Sequence, residues 1–129
     1  MSDFSTALSV AASGMRSQTN RLQHLSENIA NADTPGYRRK LTLFEVDRQA
    51  DTPGVVTTGP VRLDRSALPQ IHDPSHPMAD DDGYYEGSNV DLVIELADAR
   101  EAQRSYEANL KIFDQIRQMS RSLNDLLRR

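Results

Sequence analysis

The chain has 129 residues, of which 37% are hydrophobic and 5% aromatic, with no Trp and no Cys. Its formal charge of -4 argues against general nucleic-acid binding, whose affinity comes from neutralised phosphates, and against attraction to an acidic membrane surface. The absence of cysteine removes disulfides, thiolate metal sites and cysteine nucleophiles in one step.

The length suggests one domain. The apolar share is low for an ordinary compact core, and the apolar residues concentrate on stripes, so a core completed by neighbouring subunits is expected. No run of about 18 apolar residues predicts a membrane span. The start, Met1-Ser2-Asp3-Phe4, lacks the basic region and apolar block of a cleavable secretory signal.

From Phe4 the apolar residues step by four and three through Leu8, Ala11, Met15, Leu22, Leu25 and Ile29 to Ala32, with Gln18 the one polar member. Such a 3.5-residue repeat makes a narrow seam that another helix covers. A first helix is therefore expected up to about Asn31, capped by Ser2 or Asp3, with Asn28 and Asn31 suited to a left-handed C-cap. Gly14 is an interior weakness of about 1 kcal/mol or a point of close approach; the sequence leaves both open. Thr34-Pro35-Gly36-Tyr37 predicts a turn with Pro35 at its second position and Gly36 at its third.

A basic run follows, Arg38-Arg39-Lys40; such a short run is usually a solvated surface, and its place after a helix-ending turn could instead set it against the acidic loop of a neighbouring copy. Leu41, Leu43, Phe44 and Val46 read as a short strand. After a second turn at Thr52 to Gly54, residues 55–58 and 61–63 are expected to pair across Gly59-Pro60. From about Ser66 to Gly87 the density of Pro, Asp, Gly and Ser predicts an extended or mobile linker.

Ser88 and Asn89 open the second predicted helix, with Ser88 and Asp91 as a capping box. Its stripe runs through Leu92, Leu96, Ala99, Tyr106, Leu110, Phe113, Ile116, Met119, Leu123 and Leu126. The stripe drifts around the helix, as expected for more than one packing neighbour. Glu107 and Lys111 form an expected i,i+4 pair, and Arg128 and Arg129 complement the dipole. The helix would span roughly 55 Å.

Catalytic chemistry finds no support in these residues. No Gly-x-Ser-x-Gly elbow or Gly-rich phosphate loop is present. His72 and His76 are four apart, but Pro74 forbids the helix that would align them as metal ligands. Asp80-Asp81-Asp82 only partly imitates a calcium loop. No metal, cofactor or small-molecule substrate is expected.

Two motifs carry a family resemblance. Ser26 to Arg38, containing Asn28, Asn31, Thr34, Pro35, Gly36 and Tyr37, resembles the N-terminal signature of bacterial flagellar axial proteins. Asn89 to Asn109, containing Asn89, Asp91, Arg104, Tyr106, Ala108 and Asn109, resembles their C-terminal signature. With Asp73 to Tyr84, the chain is most similar to the proximal-rod class of the flagellar basal-body rod family. One departure is the short Asp33-Thr34-Pro35-Gly36-Tyr37 segment, a form used by other rod and hook proteins.

The resemblance implies a non-enzymatic structural subunit, exported through the flagellar type III apparatus and assembled in the periplasm to transmit motor torque to the hook. Its implied partners are copies of itself, other rod proteins and the basal-body base around the MS ring and export gate. The expected fold is mainly α, with long N- and C-terminal helices packing as a coiled coil and a small extended/β middle segment. The divisions are 1–33, 34–87 and 88–129. Leu8, Met15, Leu22, Leu25 and Ile29 are expected to meet Leu92, Leu96, Tyr106, Leu110, Phe113, Ile116 and Leu123 within and between subunits. A soluble dimeric coiled-coil adaptor or regulator is the competing class.

Overall fold

The structure, a computed structural model, describes residues 2–128. Helix α1 covers Ser2–Ala30 and helix α2 covers Leu92–Leu127. Between them lie six short strands, β1 (Lys40–Leu41), β2 (Phe44–Val46), β3 (Val56–Thr58), β4 (Arg62–Leu63), β5 (Gln70–His72) and β6 (Tyr84–Glu86). The fold is mainly α with a small antiparallel β middle.

The two helices lie side by side and run antiparallel. Asn28 near the end of α1 reaches Glu95 near the start of α2. Arg21 pairs with Asp98 and Glu101 one to two turns further on, and Gly14 faces Asn109. On α1 the stripe through Ala11, Gly14, Gln18, Arg21, Leu25 and Asn28 therefore faces α2. On α2 the facing stripe is Glu95, Ala99, Ala102, Tyr106, Asn109, Phe113, Ile116 and Ser120, again in steps of four and three, and each of these is buried or half-buried.

Gly14 resolves as a point of close approach. A Cβ there would stand 2.9 Å from the Asn109 amide nitrogen and 3.3 Å from its Cγ. That neighbour is the movable end of a half-buried side chain, so Gly14→Ala should be near neutral, its helix-propensity gain of about 1 kcal/mol offsetting the shift of Asn109. Gly14→Leu must instead push the helices apart and should lower stability by about 1–3 kcal/mol. Chemical denaturation followed by circular dichroism distinguishes the two.

Strands β1 to β4 form one bent hairpin laid along α1. β1 pairs with β4 and β2 with β3. Residues 55–58 and 61–63 thus do not pair with each other, because Gly59-Pro60 lies along one arm and the chain reverses at 47–55 instead. The hairpin is pinned to α1 by Ser13 Oγ accepting from Val56 N at 3.0 Å, Asn20 to Thr58 at 3.1 Å and His24 to Thr42 at 2.7 Å. Helix α1 is the middle layer, between α2 and this hairpin.

The stretch expected to be a linker is instead a second hairpin. β5 pairs with β6, His72 meets Tyr84 edge-on, and His76 stacks on Tyr85 at 3.9 Å. The prolines that forbid helix do not forbid strands outside the paired positions. Asp73 and Asp80 close the intervening turns by accepting from Ser75, Asp82 and Tyr84 backbone N–H groups.

The caps also differ from expectation. Helix α2 starts at Leu92, and Asp91 is its N-cap, accepting from Val93 N at 3.0 Å. Ser88 is used elsewhere, donating to the Ala32 carbonyl, so no capping box forms. Asp3 lies inside the first turn of α1 and not at its cap; the Ser2 side chain and Arg129 lie outside the described residues. No described non-glycine residue has positive φ, so neither Asn28 nor Asn31 is a left-handed cap. The expected Glu107–Lys111 pair is not formed within 4 Å.

Candidate assembly surface and the clamp beneath it

The turn after α1 forms as its residues dictate. Gly36 has φ +73 and Tyr37 N donates to Thr34 O at 3.2 Å, the geometry that a Pro-Gly centre favours. Asn31 secures the helix end by donating to Glu27 O, while its Oδ1 accepts from the Thr34 hydroxyl. Gly36 N then donates to the Glu86 and Gly87 carbonyls, joining the second hairpin to this corner.

Asn28 is the centre of the corner and is fully buried. Its Nδ2 donates to Lys40 O at 3.0 Å and Glu95 Oε2 at 3.2 Å. Its Oδ1 accepts from Tyr37 Oη at 2.9 Å and Lys40 N at 2.8 Å. Every bonding site of the amide is thus occupied. Burial pushes the Tyr37 hydroxyl pKa up, which keeps it a donor.

Glu95 is likewise fully buried. Its Oε1 accepts from Arg39 Nε at 2.6 Å, and Arg39 extends to Asp64 at 3.3 Å. Desolvation alone would push the Arg39 guanidinium pKa down, but Glu95 and Asp64 outweigh it and the net shift is up. Asn89 Oδ1 accepts from Arg39 N at 2.7 Å, and Asn89 Nδ2 donates to Asp64 O. Asn28, Tyr37, Arg39, Asn89 and Glu95 thus fasten the end of α1, the first hairpin and the start of α2 into one clamp.

The basic run is therefore engaged within the chain. Arg39 holds Glu95, Lys40 holds Glu27, and Arg38 donates to the carbonyls of Asp64 and Ser66. This corrects the expectation that Arg38-Arg39-Lys40 meets a neighbour's acidic loop. The Lys40 ammonium holds the Glu27 carboxyl below its ordinary value, and Ser66 hydrogen bonds followed by Arg39 do the same for Asp64. A depressed folded-state pKa gives stability that is present above the unfolded value and lost as pH falls through the folded one. The urea midpoint should therefore hold from neutral pH to about pH 5 and fall below it, and Glu27→Gln should soften that acid limb.

Above the clamp few large apolar side chains are fully buried. Among the described residues the buried hydrophobic ones are Ala11, Leu25 and Ala102 alone. Leu8, Met15, Leu22 and Ile29 on α1, and Tyr106, Phe113 and Ile116 on α2, are half-buried. Leu92, Leu96, Leu110 and Leu123 are exposed, as are Ile94, Ile112, Met119, Leu126 and Leu127. At about 100° per residue, Leu92, Leu96 and Leu110 lie to one side of the α1-facing stripe and Ile94, Ile112 and Met119 to the other. Of the remaining signature residues, Arg104 and Ala108 are exposed and Asn109 faces Gly14.

The exposed area is large for this mass. A compact 14.4 kDa chain should expose about 6,800 Å², and this one exposes 9056 Å². The excess is of the order that a specific interface removes, about 1,200–2,000 Å². Among the described residues no cluster of three or more His, Asp or Glu could hold a metal ion, and no helix is long and apolar enough to cross a membrane.

The sequence signal for the clamp lay in the motifs, but Arg39, Asp64 and Glu95 went unrecognised as its charged members. Glu95 could have been found by extending the four-three series of Ala99, Ala102, Tyr106 and Phe113 one step back and accepting a polar member.

Residues 8–38 match the family described as "Flagella basal body rod protein", and residues 81–126 match "Flagellar basal body rod FlgEFG protein C-terminal". The chain is 42% identical to the flagellar basal-body rod protein FlgC of Agrobacterium fabrum, over 99% of this chain and 98% of that one. It is 37% identical to FlgC of Aquifex aeolicus over 88% and 89%, and 33% identical to FlgC of Salmonella typhimurium over 85% and 87%. The two matched segments contain Asn28 and Tyr37 on one side and Asn89 and Glu95 on the other, and the chain belongs to the flagellar basal-body rod protein family, on its FlgC side.

Proposed function

We propose that this chain is a structural subunit of the flagellar basal-body rod, with no catalytic role. It is exported through the flagellar type III apparatus, assembles in the periplasm and transmits motor torque to the hook. Its neighbours are copies of itself, other rod proteins and the basal-body base near the MS ring and export gate. The observation that carries this reading is the set of large apolar side chains left uncovered. The α1–α2 contact takes up Leu25, Tyr106, Phe113 and Ile116 among small and polar residues, while both flanks of α2 carry exposed large ones.

In this reading residues 1–33 and 88–129 form the axial layer, pairing as a coiled coil within and between subunits, and residues 34–87 sit outside it. Leu8, Met15, Leu22, Leu25 and Ile29 support the inner packing with Tyr106, Phe113 and Ile116. Leu92, Leu96, Leu110 and Leu123 are offered to neighbours. Burying each Leu or Ile contributes about 1.5–3 kcal/mol, so a few such contacts drive polymerisation. The clamp fixes the angle between α1, α2 and the first hairpin, which supplies the stiffness that torque transmission requires.

The test is one charge on each flank. Leu110→Asp and Ile112→Asp should each leave synthesis and helix content normal while abolishing rod assembly and motility. Normal motility in both variants would rule the reading out. A soluble dimeric adaptor would instead sediment as a dimer of fixed size, unaffected by the presence of other rod proteins.

A further inference from the structure

We infer that the arginine-bearing side of the last turns of α2 binds the β5–β6 hairpin of a second copy of this chain, joining copies head to tail. This rests on the rod reading and adds to it the identity of one contact. The basic run 38–40 is consumed by the clamp, which leaves the acidic hairpin without the partner first expected for it. From Gln70 to Gly87 the chain carries Asp73, Asp80, Asp81, Asp82 and Glu86 and no Lys or Arg. Asp80, Asp81 and Asp82 are exposed at the hairpin tip, beside the exposed apolar groups of Met78 and Tyr84.

The complementary surface lies at the far end of the molecule. Leu110, Arg117, Arg121 and Arg128 are spaced seven, four and seven apart, which places them along one side of α2. All four are exposed, and Asp114 and Asp125 are the acidic residues on or beside this side, which leaves the three arginines in excess. Among the described residues, neither these arginines nor Asp80, Asp81 and Asp82 enter any ion pair. The hairpin is hydrogen-bonded to the turn that ends α1, beside the N-terminus of α2. The arginines occupy the opposite half of this helix, about 54 Å long. Complementary patches at opposite ends cannot satisfy each other within one chain. Between chains they make a heterologous contact, which propagates into an open helical assembly when its rotation does not close. Charge matching would select the register, with Met78 supplying apolar area against Leu110.

The cysteine-free sequence makes the contact directly testable. Asp82→Cys and Arg121→Cys are introduced singly and together, and basal bodies isolated from cells carrying each variant are oxidised. The combined variant should give a ladder of cross-linked copies, and neither single variant should give more than a dimer. Assembled basal bodies in which the combined variant stays uncross-linked overturn this contact while leaving the rod reading intact. A cross-linked product of another mass overturns it too, by showing a different subunit on the site. Independently, Arg117→Glu with Arg121→Glu should lower assembled rod at least about ten-fold. Adding Asp81→Arg and Asp82→Arg should restore it, and a failure to restore assembly counts against the contact.

Discussion

Glu95→Ala is expected to lower the unfolding free energy by about 3–5 kcal/mol, the usual cost of removing one partner from a buried ion pair. The carboxylate accepts from Arg39 and from Asn28 in a site with no solvent exposure. Its removal leaves a guanidinium beneath the start of α2 and one amide donor without an acceptor. Arg39→Ala should cost at least as much, because it strands the fully buried Glu95 carboxylate, whereas in the Glu95 variant Arg39 keeps 20% side-chain exposure and its pairing with Asp64. Glu95→Gln should cost less than Glu95→Ala, since the amide keeps one acceptor although it turns N–H donors toward Arg39 or Asn28. Denaturation of the single and double variants gives the coupling energy. A coupling near zero would mean that the Arg39–Glu95 contact contributes nothing to holding α2 against the first hairpin. Since small domains have about 5–15 kcal/mol in total, the Ala variant should also lose assembly, for want of a folded subunit.

This expected cost explains which parts of the fold were legible in the sequence. The two helices were, because Leu8 to Ile29 and Leu92 to Leu126 repeat at helical spacing and the Thr34–Tyr37 turn has a Pro and a Gly where its dihedrals need them. The choice of faces was legible in part. Ala99, Tyr106, Phe113 and Ile116 of the apolar stripe do face α1, but the same face also runs through Glu95, Ala102 and Asn109, and Leu92, Leu96 and Leu110 lie beside it. Close packing at Gly14 selects small partners, and the clamp selects polar ones. The leucines of the apolar stripe, Leu92, Leu96, Leu110 and Leu123, therefore mark surface left over from the intramolecular contact. The second hairpin was hidden for a different reason. β5 and β6 are three residues each, too short for alternation to register against their prolines and aspartates. Gln18 shows the limit from the other side. Its place on the seam was readable, but its buried Oε1 has no partner among the described residues, and no sequence pattern announces that.

Asn28→Asp gives the sharpest discrimination between a clamp held by hydrogen bonds and a corner held by packing alone. The substitution changes almost no volume. It replaces the donor that serves Lys40 O and Glu95 Oε2 with an acceptor, and sets two carboxylates about 3 Å apart in a buried site, close to the 3.2 Å of the native contact. Burial and the like charge of Glu95 both raise the pKa of the new carboxyl. A raised folded-state pKa means stability that is complete below the unfolded value and lost as pH rises through the folded one. The variant should therefore be weakest near neutral pH, by about 3 kcal/mol or more, and approach the native urea midpoint as pH falls toward about 5. The native protein changes little over that interval, because its own depressed carboxylates, Glu27 and Asp64, titrate lower. Asn28→Leu separates the alternatives. It leaves the Tyr37 hydroxyl and the Lys40 N–H without acceptors at every pH, so its deficit should be flat from pH 7 to about pH 5. If the Asp and Leu variants instead trace parallel curves, charge at the corner is irrelevant and the hydrogen-bonded clamp is not what sets the angle between α1 and α2. If the curves converge only for the Asp variant, the angle that presents both flanks of α2 to neighbouring subunits depends on one buried amide.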